Sequence, residues 1–272
     1  MEPWKEGIVS LLLNGTGTLA SWIEKEIDLG QTVKTGARGQ AVTRIQEWLN
    51  LHGFGLAIDS DFGPVTKRKV QEFQEDRGIA TTGIVNPSTF EALVDPLRQV
   101  LASLNPGRHT LGSLVLKYAE SHLKQNPREV GGQNCGPWVR LYMKGHEGEE
   151  WPWCAGFVSF VLKQAAETLQ MSQPIEGSFS CDTLAAQAKA AGIFVKGSDL
   201  ARGVEAIDEL SDACIFLMRR TDTDWTHTGF ATAFDDVAFD TIEGNTNDEG
   251  SREGYEVCSR SRGYSDKDFI VL

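Results

Sequence analysis

The sequence of 272 residues is short of basic side chains. Its 26 Lys and Arg residues stand against 38 Asp and Glu residues, which gives a formal net charge of −12 at pH 7. A general nucleic-acid binder needs an excess of cations to displace counterions from phosphates. The charge balance therefore speaks against a nucleic-acid partner.

Long apolar runs are missing as well. The run at residues 8–13 is too short to span a bilayer as a helix, and Glu2 and Glu6 precede it where a secretory signal would be basic. We therefore expect a chain that is made in the cytoplasm, without a signal peptide and without stable membrane insertion.

Cysteine is sparse, and it forms no metal-binding or redox motif. Neither a C-x-x-C pair nor an H-E-x-x-H motif occurs, so nothing indicates a zinc ribbon, a dithiol oxidoreductase or a zinc peptidase. The five cysteines are Cys135, Cys154, Cys181, Cys214 and Cys258. A small buried side chain is the ordinary fate of such a residue, and we expect it for all of them except Cys154.

What the sequence does contain is an ordinary globular composition. Hydrophobic residues make up 40% and charged residues 24%, at a length that suggests two domains. Prolines and a glycine cluster between residues 95 and 107, as is typical of a linker. The predicted parts are an N-terminal segment of two short helices at 1–31, a small domain at 32–95, a linker at 96–110 and a larger domain at 111–272.

Residues 32–95 show the pattern of three short helices. Apolar side chains recur at helical spacing over 40–52, Pro64 opens a second helix that ends at Gly78, and Pro87 opens a third. Loops rich in Asp and Gly separate them. This pattern predicts a small all-α three-helix bundle.

The same segment carries a specific combination of Gly, Thr, Gln and apolar residues. It comprises Thr35-Gly36-Ala37-Arg38-Gly39, Val42, Ile45-Gln46, Leu49, Gly53, Ile58-Asp59-Ser60-Asp61-Phe62-Gly63, Thr66, Val70, Phe73-Gln74, Gly78, Thr82-Gly83, Thr89 and Leu93. This combination resembles the three-helix peptidoglycan-binding domain often attached to cell-wall hydrolases. The family usually has Asp-Gly before its Phe-Gly, where this sequence has Ser60-Asp61. The resemblance implies bacterial peptidoglycan as the partner.

Cys154 is a candidate nucleophile by its position. Pro152 disfavours a helical conformation at Trp151, and an apolar helical pattern runs from Ala155 to about Leu169. A thiolate at a helix N-terminus is stabilised by backbone N–H groups and by the helix dipole, which lowers the pKa of the cysteine. The alternative is that Cys154 only fills core space.

His227 is the candidate base among the five histidines. It begins a predicted strand that turns at Asp235-Asp236 and returns over 237–242. A two-residue turn places His227 opposite Gly244, and a three-residue turn places it opposite Glu243 or Asn245. Because side chains alternate between faces, only the latter registers, or a bulge, align His227 with those polar groups. The alternative is a solvated histidine beside an acidic loop.

These residues together resemble a second family. Trp153-Cys154-Ala155-Gly156-Phe157-Val158, His227-Thr228-Gly229-Phe230 and Glu243-Gly244-Asn245-Thr246 are similar to the motifs of CHAP domains. These domains are papain-like cysteine, histidine-dependent amidohydrolases and peptidases, related to the NlpC-type wall peptidases. The resemblance covers roughly residues 112–272, and it departs at Thr228, where a small apolar residue is more usual.

The resemblance implies an α+β, papain-like catalytic domain with a Cys-bearing helix packed on an antiparallel sheet. It implies Cys154 as the nucleophile and His227 as general base and then acid. Glu243 would orient the imidazole, with Asn245 assisting at the same site. No cofactor is implied. Some CHAP enzymes bind calcium near the cysteine, but their Asp pattern is absent here, although an acidic cluster occurs at Glu147, Glu149 and Glu150.

Taken together, the two resemblances predict a modular enzyme that hydrolyses amide bonds in bacterial peptidoglycan. The bond is either in the peptide or at its junction with the glycan, and no particular oligomeric state follows. The setting expected from the missing signal is a phage endolysin, with an exported bacterial effector as the alternative. A non-catalytic wall-binding or virion structural protein and a cysteine hydrolase of a soluble substrate remain as other interpretations.

Overall fold

The computed structural model describes residues 9–201, 210, 213–246 and 254–272. In chain order the elements are β1 (Val9–Ser10), β2 (Thr18–Leu19), α1 (Ser21–Ile27), α2 (Gln40–Leu51), α3 (Pro64–Asp76), α4 (Pro87–Leu93), α5 (Asp95–Val100), α6 (Leu111–Lys124), α7 (Pro137–Tyr142), α8 (Cys154–Thr168), α9 (Cys181–Ala191), β3 (Phe194–Lys196), α10 (Gly197–Ala201), β4 (Cys214–Thr221), β5 (Asp224–Thr232), β6 (Ala238–Thr246), β7 (Glu256–Gly263) and β8 (Lys267–Val271). The protein is thus a mixed α+β structure.

Contacts divide the chain into two units. The helical unit comprises Ala20–Leu101 and Arg128–Glu150, and the sheet unit comprises the described residues up to Leu19, Ala102–Pro127 and the described residues from Trp151 onward. The chain therefore passes between the units more than once. The domain bounds given above from the sequence stay a prediction.

The helical unit contains the three helices that the sequence predicts for the bundle, as α2, α3 and α4. Pro64 and Pro87 each stand in the first turn of a helix, where a missing N–H costs nothing. Asn86 caps α4 by accepting a hydrogen bond from the Thr89 N–H. The buried apolar side chains of these helices, which include Ile45, Trp48, Val70, Phe73 and Phe90, form its core.

Two buried glutamines hold the loops of the bundle. Gln46 accepts the backbone N–H groups of Asp59 and Ser60 at 3.1 and 2.9 Å. Gln74 accepts the N–H of Gly83 at 2.9 Å and donates to the Ile84 carbonyl oxygen at 2.9 Å. Buried loop backbone needs such partners, so both glutamines have a structural role.

A buried ion cluster joins the segment Arg128–Glu150 to the rest of the helical unit. The Arg140 guanidinium on α7 lies 2.8 Å from a Glu26 oxygen, 2.7 Å from a Glu47 oxygen and 2.7 Å from a Glu147 oxygen. Arg140, Glu26 and Glu47 are buried. Burial raises the pKa of the Glu47 carboxyl even though Arg140 lowers it.

The sheet unit is built on a six-stranded sheet with the order β3-β8-β4-β5-β6-β7, in which all neighbouring strands run antiparallel. Helix α8 packs on β5 and β6, with α6 behind it and α9 beside β5. The inward side of α8 is almost wholly apolar and includes Phe157, Phe160 and Leu162. The helix predicted over 155–169 and the hairpin predicted after His227 correspond to α8 and to the pair β5–β6.

The prediction of two short helices before residue 31 is wrong for the first of them. Residues 1–8 lie outside the described residues, and residues 9–19 form β1 and β2, which pair in parallel. The Leu11 N–H donates to the Glu167 carboxylate at 2.9 Å, and the Leu12 N–H donates to the Ser10 hydroxyl at 2.9 Å. Side chains thus satisfy backbone groups that a helix would pair with its own carbonyls. Only α1 is helical.

In the part of the chain that the structure describes, no helix is both long and apolar enough to cross a membrane.

Candidate active site

Cys154 is the first residue of α8, as its position in the sequence predicts. Its side chain is 7% exposed, and the backbone N–H of the preceding Trp153 donates to the Asn245 side-chain oxygen at 2.8 Å. The first N–H groups of a helix have no carbonyl partner within the helix and carry its positive end. The Cys154 sulfur therefore lies where a negative charge is stabilised.

His227 lies on β5, and the observed register of β5 with β6 aligns it with polar side chains of β6. Phe230 pairs with Ile242 and Thr232 with Asp240. This is one of the registers that the sequence left open, and continuing it places His227 opposite Asn245. The His227 Nε2 atom lies 2.8 Å from the Glu243 Oε2 atom, across a diagonal of the hairpin.

A glycine on β5, Gly229, leaves room for the contact between His227 and Glu243. Continuing the same register places Gly229 opposite Glu243. A Cβ atom on Gly229 would lie 2.8 Å from the Glu243 Cγ atom and 2.8 Å from a ring carbon of Phe216. Sequence reasoning missed this role, because the space a glycine leaves depends on a partner strand whose register was open.

Two further residues hold the Glu243 carboxylate, which is fully buried. Arg262 on β7 donates to both of its oxygens, at 2.5 and 2.6 Å, and the Thr241 hydroxyl donates at 2.6 Å. Burial alone would raise the pKa of Glu243, but Arg262 and His227 outweigh it and lower that pKa to about 2. Glu243 is therefore ionised at neutral pH. Sequence reasoning missed both Arg262 and Thr241, although Thr241 is two residues before Glu243 and shares its face of the strand.

Asn245, which was expected to assist at the same site, contacts the backbone at the start of the helix that bears Cys154. Its side chain accepts the Trp153 N–H and donates to the Gly254 carbonyl oxygen at 3.3 Å. Asn245 has a φ of 55°, and the pairing of β6 with β7 shifts between Glu243 and Thr246. Such a bulge re-aims a side chain. Asn245 therefore holds the start of α8, next to the nucleophile.

The middle residue of the same motif allows α8 to approach the sheet. A Cβ atom on Gly244 would lie 2.8 Å from both Phe157 and Trp153. Glu243, Gly244 and Asn245 thus have three separate tasks. Together they hold the histidine, admit the helix and fix the backbone before Cys154.

The electrostatics of the site favour a charged pair. The pKa of the Cys154 thiol lies well below its ordinary value, because the Cys181 thiol hydrogen-bonds to it and the His227 imidazole lies beside it, and these effects outweigh burial. Burial opposes a charge on His227, yet the Cys154 thiolate and the Glu243 carboxylate raise its pKa to about 9. The directions of the two shifts favour a thiolate on Cys154 and an imidazolium on His227.

The second ring nitrogen of His227 is the one available to the thiolate. Nε2 is occupied by Glu243, while Nδ1 is buried and has no hydrogen-bond partner within ordinary distance among the described residues. Nδ1 nevertheless lies near enough to Cys154 for the charge of the thiolate to raise the pKa of His227. This nitrogen can therefore carry the proton that a reaction at Cys154 needs.

A cleft of about 260 Å³ opens above Cys154. Its walls come from the segment before α8, the start of α9 and the β4–β5 hairpin, as Pro152, Phe179, Ser180, Cys181, Asp182, Arg220, Asp224, Trp225 and Thr226. Cavities of about 850 Å³ in the helical unit and 390 Å³ near β1 do not contain Cys154. Of these three cavities, the smaller cleft is the one that Cys154 lines.

Of the acidic cluster at Glu147, Glu149 and Glu150, the Glu147 side chain is bound within the helical unit. Glu147 accepts hydrogen bonds from Arg140 at 2.7 Å and from the Gly136 N–H at 2.9 Å. Across the described ranges, no group of three or more His, Cys, Asp and Glu side chains is placed to hold a metal ion.

Comparison with known proteins identifies the bundle. Residues 38–93 match the family of peptidoglycan binding domains. A curated relative, the zinc D-Ala-D-Ala carboxypeptidase of Streptomyces albus G, is 40% identical over 67 residues, which are 23% of this chain. The chain spans only 26% of the length of that relative.

Three solved structures share this local likeness. A peptidoglycan-binding protein from Clostridioides difficile, in complex with glutamine hydroxamate, is 35% identical, with a TM-score of 0.23, over 23% of this chain and 40% of its own. The N-terminal domain of SleB is 32% identical, with a TM-score of 0.24, and the match covers 24% of this chain and 90% of that domain's chain. A fused Zn-dependent amidase/peptidase/peptidoglycan-binding protein from Clostridium acetobutylicum is 36% identical, with a TM-score of 0.23. This match covers 23% of this chain and 28% of the other chain.

Zinc stands in the names of two of these proteins. A catalytic zinc has three protein ligands, and the residues that the structure describes show no such group, so they do not fit that metal. The match over residues 38–93 agrees with the motifs of the bundle and with its three helices. The chain therefore carries a peptidoglycan-binding domain in its N-terminal part.

Proposed function

We propose that this protein is a peptidoglycan hydrolase that cleaves an amide bond by cysteine–histidine catalysis. The observation that carries the proposal is the arrangement of Cys154, His227 and Glu243, in which a helix N-terminus and a buried, carboxylate-bound imidazole favour a thiolate. Nucleophile, base and orienting group are the three parts of covalent acyl transfer. Two relatives are named as a carboxypeptidase and a fused amidase/peptidase, and a peptidoglycan-binding domain is present here.

The first half of the reaction forms a thioester. The Cys154 thiolate attacks the amide carbonyl carbon, and the oxyanion accepts hydrogen bonds from backbone donors such as the Cys154 N–H at the start of α8. His227 then gives the proton on its Nδ1 atom to the leaving amine as the C–N bond breaks. Glu243 remains ionised, because four donated hydrogen bonds stabilise its charge.

The second half restores the enzyme. Neutral His227 takes a proton from a water molecule, which attacks the thioester carbonyl carbon, and the new carboxyl group leaves as the Cys154 thiolate re-forms. The imidazolium and the thiolate are then paired again. None of these steps is routed through a cofactor.

The architecture of the sheet unit supports a papain-like catalytic domain of the CHAP type. A Cys-bearing helix packs on an antiparallel sheet that supplies the histidine from one strand and its orienting residue from the next. The sequence motifs at these positions resemble that family. The bonds proposed as substrates are the peptide bonds of the wall and the N-acetylmuramoyl-L-alanine amide.

The peptidoglycan-binding domain would act as a tether. Linking a binding module to an enzyme converts a second encounter with the substrate into an intramolecular one, which raises the effective substrate concentration. An insoluble wall makes this gain large. We propose a phage endolysin as the setting, with an exported bacterial effector as the alternative.

The test compares wild-type protein with Cys154→Ala on purified sacculi. Loss of the nucleophile should lower the release of soluble fragments by at least about 1000-fold, while sedimentation with the sacculi persists. Cys135→Ala, a substitution in the helical unit, serves as the matched cysteine control and should retain activity. Mass spectrometry of the new amino and carboxyl ends identifies the bond.

Three outcomes would change the interpretation. Full activity in Cys154→Ala would overturn cysteine catalysis. Binding to sacculi without fragment release by the wild type would favour a wall-binding or virion structural protein. Failure to sediment, with hydrolysis of a soluble amide or thioester, would favour a cysteine hydrolase of another substrate.

A further inference from the structure

A second thiol lies beside the nucleophile, and the proposed reaction gives it no step. The Cys154 and Cys181 sulfur atoms are 4.0 Å apart. Cys181 is the first residue of α9, whose N-terminus is capped by Ser180, so each sulfur stands at the start of a helix. None of the five cysteines is in a disulfide in the structure.

We propose that Cys154 and Cys181 form an oxidisable pair, which hydrogen peroxide converts to a disulfide and a dithiol converts back. The disulfide removes the nucleophile, so the pair would make hydrolysis depend on the redox state. That loss of hydrolysis rests on the function proposed above. Formation of the disulfide does not, because it needs only the two sulfur atoms.

The reaction with peroxide balances in two steps. The Cys154 thiolate attacks one peroxide oxygen, the O–O bond breaks, and the departing hydroxide takes up a proton to become water, which leaves a sulfenic acid on Cys154. The Cys181 sulfur then attacks the Cys154 sulfur, the S–O bond breaks, and the proton from Cys181 leaves with the oxygen as a second water. Two thiols have lost two electrons and two protons, and the peroxide has been reduced to two waters.

The geometry allows the second step with a small movement. A disulfide has a bond length of about 2.05 Å, so the sulfur atoms must approach each other by about 2 Å. Each sulfur can swing about its own Cα–Cβ bond, and both line the cleft of about 260 Å³. Both side chains are 7% exposed, which leaves the cleft as the way in for a small oxidant.

The chain also distinguishes this pair from its other cysteines. Burial raises the pKa of Cys214, and it likewise raises the pKa values of Cys135 and Cys258. These three remain thiols at neutral pH, and a thiol is a far weaker nucleophile than a thiolate. Cys154 is therefore the first sulfur to react, and Cys181 is the one within reach of it.

The experiment uses the full chain. Purified protein is treated with hydrogen peroxide, its remaining thiols are blocked, and the digest is mapped by mass spectrometry, in parallel with fragment release from sacculi. We expect a peptide containing Cys154 joined to one containing Cys181, a loss of two hydrogen atoms, and a loss of activity that dithiothreitol restores. Cys135→Ser is the matched control and should give the same link.

Cys181→Ser separates the pair from oxidation of Cys154 alone. The serine keeps a hydroxyl donor beside Cys154 but cannot form the disulfide, so peroxide should carry Cys154 on to sulfinic acid and dithiothreitol should not restore activity. Sulfinic acid on Cys154 in the wild type without a link, or a link to another cysteine, would overturn the proposal. Peptide mapping of the wild type decides this even if Cys181→Ser fails to fold. If the link forms in a protein whose wall-lysing activity survives Cys154→Ala, the proposed function fails and the oxidisable pair stands.

Discussion

Each oxygen of the Glu243 carboxylate accepts two hydrogen bonds. His227 and Arg262 donate to Oε2, while Arg262 and Thr241 donate to Oε1. Four donors keep the charge on Glu243 stable inside the sheet unit, and that charge in turn keeps His227 protonated. The protonation of His227 thus depends on residues from two other strands, β6 and β7.

The first prediction concerns pH. Hydrolysis needs an ionised Cys154 and a protonated His227 at the same time, and the pKa of His227 is raised to about 9. Because its pKa is raised, His227 stays protonated below a pH of about 9. The kcat/KM on a soluble wall fragment should therefore stay constant through neutral pH and fall as the pH rises through about 9. The two groups titrate as a coupled pair, so the limbs of the profile belong to the pair. An alkaline limb near the ordinary histidine value of about 6.5 would contradict this assignment.

Glu243→Gln is the second prediction. The amide has no charge to hold the imidazolium, and its NH₂ group faces donors, so the substitution should lower kcat by about 100-fold. It should also lower the pKa of His227 and move the alkaline limb of the pH profile to lower pH. Asp240→Asn, an exposed carboxylate on the same strand, is the control. An unchanged profile in Glu243→Gln would argue against its role as the orienting residue.

At the scale of elements, Gly229 on β5 leaves the space that the Glu243 side chain of β6 occupies. We expect Gly229→Ala to destabilise the protein by about 1–3 kcal/mol, because its Cβ atom would lie 2.8 Å from Glu243 and from Phe216. Activity should fall as Glu243 is displaced from His227. Thermal unfolding and fragment release measure the two effects.

The control for that substitution is in the same sheet. A Cβ atom on Gly263 at the end of β7 would meet its nearest neighbour, the Val237 carbonyl oxygen, at 3.7 Å, which is an ordinary contact. Gly263→Ala should therefore leave both readouts nearly unchanged. Equal losses in the two variants would show that alanine in this sheet, rather than crowding of Glu243, is the cause.

Helix α7 provides a prediction about the helical unit. Arg140→Leu leaves Glu47 buried without its cation and leaves Glu26 with Arg44 alone, which should cost about 3–5 kcal/mol of unfolding free energy. Arg38→Leu breaks an ion pair with Asp61 of similar length, 2.9 Å, but that pair is exposed and should contribute at most about 1 kcal/mol. Urea denaturation compares the two variants, and similar losses would contradict the importance of burial.

The elements that the sequence predicted well are those that local patterning specifies. Helices α3 and α8 follow from apolar spacing and a proline at or just before the start, and α2 follows from apolar spacing alone. The prediction of the first N-terminal helix was wrong, because the backbone of residues 10–12 makes hydrogen bonds within that segment and to Glu167 in place of helical ones. No local pattern contains a partner more than 150 residues away.

The residues of the candidate site likewise fall into those that a local pattern predicts and those that depend on tertiary structure. Cys154 and His227 were predicted from a helix start and a strand pattern, and the alignment of His227 with Glu243 followed from one of the open registers. Arg262 and Gly229 were missed, since their roles depend on which strand neighbours which. Cys181 was assigned only to the core, because the approach of two helix starts is a tertiary property.

At the scale of the whole molecule, net charge bears on how the protein would bind the proposed substrate. A chain of net charge −12 gains no general attraction to anionic wall polymers, so the proposed binding to sacculi would have to come from specific contacts. Raising the salt concentration screens repulsion between like charges. We therefore expect the sedimented fraction to hold or rise between about 0.05 and 0.5 M NaCl. A steep loss of binding with salt would instead indicate attraction to a local basic surface.

The bond from the Trp153 N–H to Asn245 has a consequence for synthesis of the protein. A ribosome makes the helix that bears Cys154 long before it makes β6 and β7, which supply Asn245, Glu243 and Arg262. Until those strands are translated, His227 lacks the carboxylate that raises its pKa, and the start of the helix lacks the Asn245 side chain. Under the proposed function, we therefore expect a nascent chain that is cut short before β6 to have no hydrolase activity.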